Sequence, residues 1–562
     1  MLTPQQYRLL LVDPGFVSLE DFTAATEDAK KSTHPLDEIL IERDLISDDQ
    51  LGQLVANFYE VPFVNLRQQA VDRRAYESIP EVMSRAKGIL GFALEADGLK
   101  VGMIDPSDGD TIRLVEKKLG HKVQVYAMTR RAFVDALAQF EEGIDAAYQE
   151  LKTKFDNEKL PAEERDAAVI GLVNVLVEHG YRNRASDVHI EPMEERVIVR
   201  FRVDGVMHAV LQLPKELMDP IVTRIKVLAR LRTDEHRASQ DGKFQYPVSG
   251  ENIDVRVSIV PVTHGENTVM RLLSARSRRY SIRDLGFSEA HMDQLQRGMM
   301  HPHVMLGVTG PTGSGKTTTV YAILKVLNKP DVHIASIEDP VEYDLEGVSQ
   351  IQVNSKTNLT FAEGLRAIVR QDPDIILVGE IRDEDTASIA INSAMTGHLV
   401  LSTLHANDAA TTLPRFLEMG VEPFLVASTV RLVIAQRLVR KICTHCRESH
   451  ELTEAEESSI TDDHRLAEAF HLLGKDTLKG LTVFHGKGCA VCHKSGYNGR
   501  IGIFELLDLT DPIKEGIMKR VSSSELASLA RAGGMRTMLD DGVEKVMSGL
   551  TTLDEVLRVI RE

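Results

Sequence analysis

The most constraining feature of this sequence is a glycine-rich loop between an apolar run and a helical stretch. Residues 310–317 read GPTGSGKT, which fits GxxxxGK[ST] at every fixed position, and they follow the apolar run 304–308. Such glycines turn backbone N–H groups towards phosphate oxygens at a helix N-terminus, and the lysine reaches the β- and γ-phosphates. The predicted nucleotide-binding residues are Gly310, Pro311, Thr312, Gly313, Ser314, Gly315, Lys316, Thr317 and Thr318, with Thr317 as the Mg²⁺ ligand. A strand–loop–helix unit of this kind predicts a mostly parallel α/β sheet.

Carboxylates follow two further apolar strands. Residues 375–378 lead into Gly379 and Glu380, and we predict that Glu380 orients or deprotonates the attacking water. The alternative for Glu380 is an exposed side chain at a strand end. Residues 334–341 (IASIEDPV) predict another strand, with Glu338, Asp339 and Glu342 at or just beyond its end. Carboxylates at the mouth of a parallel sheet suit Mg²⁺ or water positioning, although one of the three fits a simple turn position.

Two arginines and two histidines are further candidates. Arg366 and Arg370 lie four residues apart on a helix whose start has a capping-box pattern, so they share one face. That face is either a phosphate contact, which can cross a subunit boundary, or a solvated basic stripe. His398 and His405 bracket the predicted strand 399–403. Because a single histidine is often a hydrogen-bonded core residue, spacing leaves both roles open.

All four cysteines fall in two CxxC pairs, Cys443 with Cys446 and Cys489 with Cys492. In a reducing compartment this pattern indicates metal rather than disulfides, and four thiolates suit tetrahedral Zn²⁺. The 42 intervening residues exceed a compact zinc ribbon, so the site is expected to join the two ends of an inserted helical module at 440–495. We predict a structural role, because four thiolates leave no open position for water. Four thiols without metal are the alternative.

Length and charge restrict the class of protein. At 562 residues the chain is too long for one hydrophobic core and predicts three or four domains. The formal net charge of -18 disfavours binding to a nucleic-acid backbone as the main activity. No apolar run approaches the roughly 18 residues of a bilayer-spanning helix, and residues 1–5 lack the basic start of a signal peptide. We therefore expect a cytoplasmic protein.

The region before the loop divides by composition. Residues 1–140 predict two helical hairpins, with Ser18 and Ser47 as N-caps, and then a small α/β unit. Residues 141–165 are acidic and lysine-rich with few large apolar side chains, which predicts a linker. A helix from Asp166 to near Gly180 and two β-hairpins follow.

The second of these hairpins turns at residues 264–265. It places Arg256 and Arg271 nearly symmetrically about the turn, so antiparallel strands bring the two guanidinium groups together. Two adjacent positive charges favour the binding of an anion beside them.

Together these motifs resemble those of the type II secretion and type IV pilus assembly ATPases, a family of hexameric secretion motors. The matching strings are ASDVHIEP (185–192), RFRVDG (200–205), GPTGSGKTTT (310–319), IEDPVEY (337–343), RQDPDIILVGEIRD (370–383), TGHLVLSTLHAN (396–407), AQRLVRKIC (435–443) and GYNGRIGIFELL (496–507). The resemblance covers essentially the whole chain from Ala185 onward, and its motifs are specific.

The resemblance implies a fold and a set of roles. An N-terminal domain at 1–140 would precede a PAS-like α/β domain at 166–283 and a RecA-like ATPase domain at 284–562, with ATP between the last two. The implied roles are phosphate binding for Lys316, a Mg²⁺ ligand at Thr317, the catalytic glutamate at Glu380, an aspartate box of Glu338, Asp339 and Glu342, a histidine box of His398 and His405, and phosphate-approaching arginines at Arg256, Arg271, Arg366 and Arg370.

The same resemblance implies partners and alternatives. It implies a homohexamer that associates peripherally with the inner membrane through a platform protein and does not act on nucleic acid. Some family members bind cyclic di-GMP at an RLG-type turn and a terminal glutamine, but residues 35–37 (PLD) and Phe58 stand at those places here, which disfavours that ligand. The alternatives are a RecA-like nucleic-acid translocase and a nucleotide-gated scaffold that does not hydrolyse ATP.

Overall fold

The computed structural model describes most of the chain. The described residues are 2–31, 35–43, 45–67, 69, 71–95, 98–119, 122–137, 144–155, 161–248, 251–273, 280–444, 446–475, 477–489, 492 and 494–561. The chain divides into two compact units, one comprising residues 1–58 and 280–562 and the other comprising residues 59–279.

The described residues of the N-terminal segment form four helices. These are α1 (Pro4–Leu11), α2 (Leu19–Lys31), α3 (Leu36–Glu42) and α4 (Asp48–Phe58). Ser18 Oγ accepts a hydrogen bond from the Asp21 amide at 3.1 Å, and Ser47 Oγ accepts one from the Gln50 amide at 3.3 Å. These bonds satisfy amides that have no partner inside the helix, which confirms both predicted N-caps.

The second unit begins with a small mixed sheet. Its elements are α5 (Arg73–Glu77), α6 (Glu81–Lys87), β1 (Ile89–Glu95), β2 (Gly98–Met103), α7 (Gly109–Leu119), β3 (Val123–Ala127) and α8 (Arg130–Leu137). Strand β2 lies in the middle, antiparallel to β1 and parallel to β3. The predicted small α/β unit is therefore present.

The stretch predicted to be a linker carries a helix. Within residues 141–165 the chain forms α9 (Ile144–Phe155), and α10 (Ala162–Arg182) begins before the stretch ends. Tyr148 is buried in the core that α10 lines, and Ile144 and Leu151 pack against it. Their spacing of four and three residues places all three on one helical face, so a few apolar side chains suffice to dock the helix.

A six-stranded antiparallel sheet forms the rest of the second unit. After α10 come β4 (Ala185–Pro192), β5 (Arg196–Val203), β6 (Val206–Pro214), α11 (Met218–Leu228), β7 (Gln240–Val248), β8 (Glu251–Val262) and β9 (Gly265–Leu273). The strand order is β6-β5-β4-β9-β8-β7. Asp204 and Gly205 take positive φ in the β5–β6 turn, which confirms the first predicted hairpin.

A seven-stranded sheet dominates the region after residue 280. Its first part consists of α12 (Glu289–Met299), β10 (Met305–Thr309), α13 (Lys316–Leu327), β11 (Ile334–Glu338), β12 (Val348–Gln352), α14 (Phe361–Val369), β13 (Ile375–Val378), α15 (Glu384–Met395), β14 (Leu399–Leu404), α16 (Ala409–Glu418), α17 (Pro423–Thr429) and β15 (Val430–Ile442). With β18, introduced next, the order is β12-β11-β13-β14-β10-β15-β18. All pairs are parallel except β15–β18, which confirms the predicted mostly parallel sheet.

In the described residues, the C-terminal part holds the cysteines and six helices. Its elements are β16 (Arg447–Glu451), α18 (Glu454–Asp462), α19 (His464–Leu472), β17 (Thr482–Gly486), β18 (Tyr497–Asp508), α20 (Asp511–Met518), α21 (Ser523–Ala532), α22 (Met538–Met547) and α23 (Leu553–Arg561). Strands β16 and β17 form a separate antiparallel ribbon. Among the described residues, no helix has the length and apolar composition needed to cross a membrane.

Candidate active site

The glycine-rich loop joins the buried strand β10 to helix α13. Its backbone takes positive φ at Gly310 (144°), Gly313 (80°) and Gly315 (89°). A Cβ on Gly310 would lie 2.5 Å from the carbonyl oxygen of Gln436, so a larger residue does not fit there without movement of the backbone. The glycines therefore stand where the chain needs them to turn tightly before a helix N-terminus, as phosphate binding requires.

Lys316 opens α13, and its side chain folds back over the loop. Its Nζ donates to the carbonyl oxygen of Gly310 at 2.7 Å and to that of Pro311 at 3.1 Å. Burial lowers the pKa of this amine, and the negative charge of Glu380 partly offsets that effect. A partly desolvated cation at a helix N-terminus suits phosphate oxygens, since charge-assisted hydrogen bonds are the stronger ones. The neighbouring Thr317 is exposed.

A glutamine on the adjacent strand fixes the shape of the loop. Gln436 on β15 is buried, and its Nε2 donates to the carbonyl oxygen of Ser314 at 2.6 Å. Gln436 belongs to the string AQRLVRKIC but is not among the predicted site residues. A polar residue directly after the apolar run 432–435 was the available signal, because a buried amide needs a hydrogen-bond partner.

Glu380 lies at the same edge of the sheet as the loop. Strands β10, β14 and β13 are neighbours and run parallel, so the residues that follow them meet at their carboxyl ends. The Glu380 carboxylate lies 3.3 Å from His405 Nε2 and 2.7 Å from Arg382 Nε, and its side chain is 13% exposed. The structure thus brings together Glu380, His405 and the loop. Arg382 was not singled out from the sequence, although it lies two residues after the predicted glutamate.

The three carboxylates of the aspartate box differ in environment. Glu338 is buried and accepts hydrogen bonds from Tyr321 Oη at 2.5 Å, Ser336 Oγ at 2.7 Å and Gln350 Nε2 at 3.1 Å. The strand ends at Glu338, shorter than the predicted 334–341, because Pro340 has no amide hydrogen for the ladder. Asp339 is exposed and Glu342 is half-buried. Glu338 is therefore engaged in the core, while the other two lie nearer the solvent.

His398 lies at the opposite edge of the sheet. It precedes the six-residue strand β14, whereas His405 follows it, and six residues of strand span roughly 20 Å. Its Nδ1 is 2.7 Å from the carbonyl oxygen of Ser393. Within one chain the structure therefore does not bring His398 to the loop, although sequence analysis placed both histidines at one site.

Arg366 and Arg370 are exposed at the end of α14. The helix begins after Thr360, whose Oγ1 accepts a hydrogen bond from the Glu363 amide at 3.2 Å, so the predicted N-cap is confirmed. The Glu363 side chain does not return to the cap but pairs with Arg366 at 2.6 Å. This exposed ion pair is the solvated arrangement that sequence analysis left open.

Arg256 and Arg271 face each other in the second unit, as predicted. They are direct partners in the β8–β9 pairing. Arg271 Nε donates to Asp187 Oδ1 at 2.9 Å, and Asp187 is buried on the adjacent strand β4. The anion that this arginine pair favours is thus supplied in part by Asp187, which sequence analysis did not identify.

The four cysteines converge on one point. One sulfur from each of Cys443, Cys446, Cys489 and Cys492 lies within 4.8 Å of the others. Backbone amides of Gly488, Cys489 and Gly496 donate to the sulfurs of Cys446 and Cys492 at 3.1 to 3.3 Å, which stabilises thiolates. This donor set fits tetrahedral Zn²⁺. The cluster could therefore hold a zinc ion, and helices α18 and α19 lie in the segment between its two halves.

A parallel sheet, a glycine loop with a buried lysine at a helix start, and a carboxylate on the neighbouring strand define a P-loop ATPase that uses ATP and Mg²⁺. The family described as "Type II/IV secretion system protein" matches residues 162–558, and the "MshEN domain" matches residues 59–147. The chain belongs to the type II/IV secretion system protein family.

Individual relatives extend the match over nearly the whole chain. "Type II secretion system protein E" of Xanthomonas campestris pv. campestris is 40% identical over 532 residues, which cover 92% of each chain. "Type IV pilus assembly ATPase PilB" of Myxococcus xanthus is 34% identical over 562 residues, 98% of this chain and 97% of that one. "Type II secretion system protein E" of Pseudomonas aeruginosa is 46% identical over 407 residues, 72% of this chain and 78% of that one.

Proposed function

We propose that this chain is the subunit of a homohexameric motor that hydrolyses ATP to drive the assembly or export of pilin-like subunits. It would act at the cytoplasmic face of the inner membrane, through a platform protein. The observation that carries the proposal is the placement of Glu380 and the glycine loop at one edge of the sheet. Similarity to secretion and pilus ATPases over 92% and 98% of the chain supports it.

Each residue at this edge of the sheet has its own role in the hydrolysis of ATP. The loop amides and Lys316 bind and orient the phosphates, and Mg²⁺ held by Thr317 would neutralise charge that develops on the phosphate oxygens. The oxygen of the attacking water bonds to the γ-phosphorus, and the bond from that phosphorus to the oxygen that bridges the β- and γ-phosphates breaks. Glu380 accepts the proton that this water loses. His405 and Arg382 hold the carboxylate in place. Asp339 and Glu342 orient the water or metal ligands, and Glu338 positions them from the core.

The remaining assignments follow the family resemblance. Residues 1–140 form the N-terminal domain, 166–283 a PAS-like domain and 284–562 a RecA-like domain that binds ATP. Arg256, Arg271, Arg366 and Arg370 approach the phosphates, and His398 acts with His405 as the histidine box. Cys443, Cys446, Cys489 and Cys492 hold a structural zinc ion. The N-terminal domain docks on the platform protein rather than binding cyclic di-GMP. The motor moves because different arrangements of the PAS-like and RecA-like domains have different affinities for ATP and ADP.

The central test is Glu380→Gln. Because this change removes the proton acceptor but keeps the shape, we expect ATP binding to persist while turnover falls roughly 10²- to 10⁴-fold. The control is Asp385→Asn, an exposed acidic residue in the first turn of the following helix, which should leave turnover unchanged. ATP affinity from equilibrium dialysis and phosphate release measure the two effects. Normal hydrolysis by Glu380→Gln would remove this residue from its role.

The alternatives predict different results. A nucleic-acid translocase should hydrolyse ATP severalfold faster when short single-stranded DNA is added at physiological salt, whereas a secretion motor should not respond. A nucleotide-gated scaffold should bind ATP without turnover in the unmodified protein. Restoration of secretion or pilus assembly in a deletion strain by the wild type but not by Glu380→Gln distinguishes the motor from both.

A further inference from the structure

Two histidines face each other on the ribbon that extends from the cysteine cluster. His450 on β16 and His485 on β17 lie diagonally across the antiparallel pair, in which His450 is opposite Val483. Their Nδ1 atoms are 3.1 Å apart, and the rings meet at 75°. Two ring nitrogens at this distance either share one proton or bind one ion. The contact is therefore a chemical feature that apolar packing does not explain.

A carboxylate fixes the orientation of the first histidine. Glu456 Oε1 lies 3.2 Å from His450 Nε2, on the side of the ring away from His485. Glu456 is itself held by the start of α18, where its Oε2 accepts hydrogen bonds from the Thr453 amide and Thr453 Oγ1, both at 2.8 Å. An Nε2–H that donates to the carboxylate leaves a lone pair on Nδ1. This is the carboxylate–histidine arrangement that accompanies metal ligation in proteins.

We propose that His450 and His485 form a second transition-metal site, separate from the four cysteines, that takes a zinc-class divalent ion through the two Nδ1 atoms. Two imidazole nitrogens on one tetrahedral Zn²⁺ lie about 3.3 Å apart, given Zn–N bonds of about 2.0–2.1 Å. The observed 3.1 Å needs only a small adjustment. Water completes the coordination, since the His450 side chain is 31% exposed. Glu456 is a positioning residue.

The pair lies apart from the cysteines along the ribbon. Arg447 pairs with Gly486 next to Cys446, and His450 pairs with Val483 three positions further out, roughly 10 Å away along the strand. The ligand types also differ, because imidazole suits Zn²⁺, Ni²⁺ and Cu²⁺, whereas thiolates favour softer metal ions. An ion at the histidines would join the two strands at their outer part, while an ion at the cysteines joins their base.

The test is zinc titration of the full-length protein after metal analysis has established one tightly held ion per chain. We expect calorimetry to show one further ion in the wild type, and at least tenfold weaker binding of that ion in His450→Gln and in His485→Gln. Glu456→Gln should weaken it roughly tenfold by loss of orientation. The control is His464→Gln, an exposed histidine on α19 of the same module, which should bind as the wild type does.

Retention of the first zinc and an unchanged circular dichroism spectrum show that each variant remains folded. If the wild type takes up no second ion, the histidines share a proton only and the proposal fails. It also fails if His450→Gln and His485→Gln both bind the second ion with wild-type affinity, because the ligands then lie elsewhere.

Discussion

A buried carboxylate pairs the C-terminal helix α23 with the sheet, beside the buried Val556 and Val559, and replacing it should loosen the helix. Glu555 is 1% exposed and accepts hydrogen bonds from Arg440 at 2.8 and 3.0 Å and from Arg558 at 2.7 and 3.0 Å. Burial by itself would raise its pKa, but the bonds from Arg558 and Arg440 outweigh this and lower the pKa to about 2. We predict that Glu555→Gln destabilises the packing of α23 on the sheet.

The magnitude follows from that pKa. A fall from the ordinary value of 4.5 to about 2 corresponds to about 3 kcal/mol of stabilisation by the ionised carboxylate. Since the folded-state pKa is depressed, this stabilisation is fully present above pH 4.5 and is lost as the pH falls towards 2. At pH 7 the amides of residues 553–561 in Glu555→Gln should therefore exchange with deuterium ~100-fold faster than in the wild type. At pH 3 the ratio should shrink to roughly tenfold.

A matched control is available on the neighbouring helix. Glu544 on α22 pairs with Arg536 at 3.0 Å, but both side chains are almost half exposed, so Glu544→Gln should change local exchange by at most about fivefold. Equal exchange ratios for Glu555→Gln at pH 7 and pH 3 would refute the argument, because they would show that the charge of Glu555 does not hold the helix. Equal effects of the two substitutions would do the same.

Three further predictions concern the sheet around the loop. Gly310→Ala should abolish detectable ATP binding in a fluorescent-nucleotide titration, because its Cβ would meet a backbone oxygen at 2.5 Å and its φ is 144°; binding within twofold of wild type would contradict this. Tyr321→Phe removes one of three donors to the buried Glu338 and should lower the free energy of unfolding by about 1–3 kcal/mol, seen as a lower melting temperature. Burial raises the pKa of Glu505 to about 7, so ionisation destabilises the folded state as the pH rises from 4.5 to 7. Glu505→Gln should therefore gain up to about 3 kcal/mol above pH 7 and nothing below pH 4.5, which melting curves at pH 4 and pH 8 would show.

Local sequence patterns correctly predicted those elements whose conformation is determined by residues close to them in the chain. The glycine loop, the Asp204–Gly205 turn and the serine caps at Ser18 and Ser47 are confirmed because each depends on the conformation or hydrogen bonding of adjacent residues. The pairing of Arg256 with Arg271 is also confirmed, since a short turn fixes the register of the strands on either side of it.

The sequence did not reveal arrangements whose cause lies far along the chain. The stretch 141–165 was predicted to be a linker from its composition, but α9 forms because Tyr148 reaches a core built mostly from later residues. Glu338 was grouped with its neighbours, yet its environment is set by Tyr321 and Gln350 from other elements. His398 and His405 bracket β14 as predicted, so they lie at opposite edges of the sheet, and the shared role that the family resemblance implies stays a prediction.

Strand β15 links the two sites that the sequence presents as separate. Gln436 on this strand holds the glycine loop, and the strand ends at Ile442, one residue before Cys443. Its antiparallel partner β18 begins at Tyr497, next to Gly496, whose amide donates to the sulfur of Cys492 at 3.3 Å. The two strands stay paired from Leu432 to Ile442, with one register shift between Arg440 and Ile442. The path along β15 from Gln436 to Cys443 spans roughly 23 Å. An ion at the cysteines would thus fix the far ends of the two strands and, through them, the edge of the sheet on which the nucleotide loop rests.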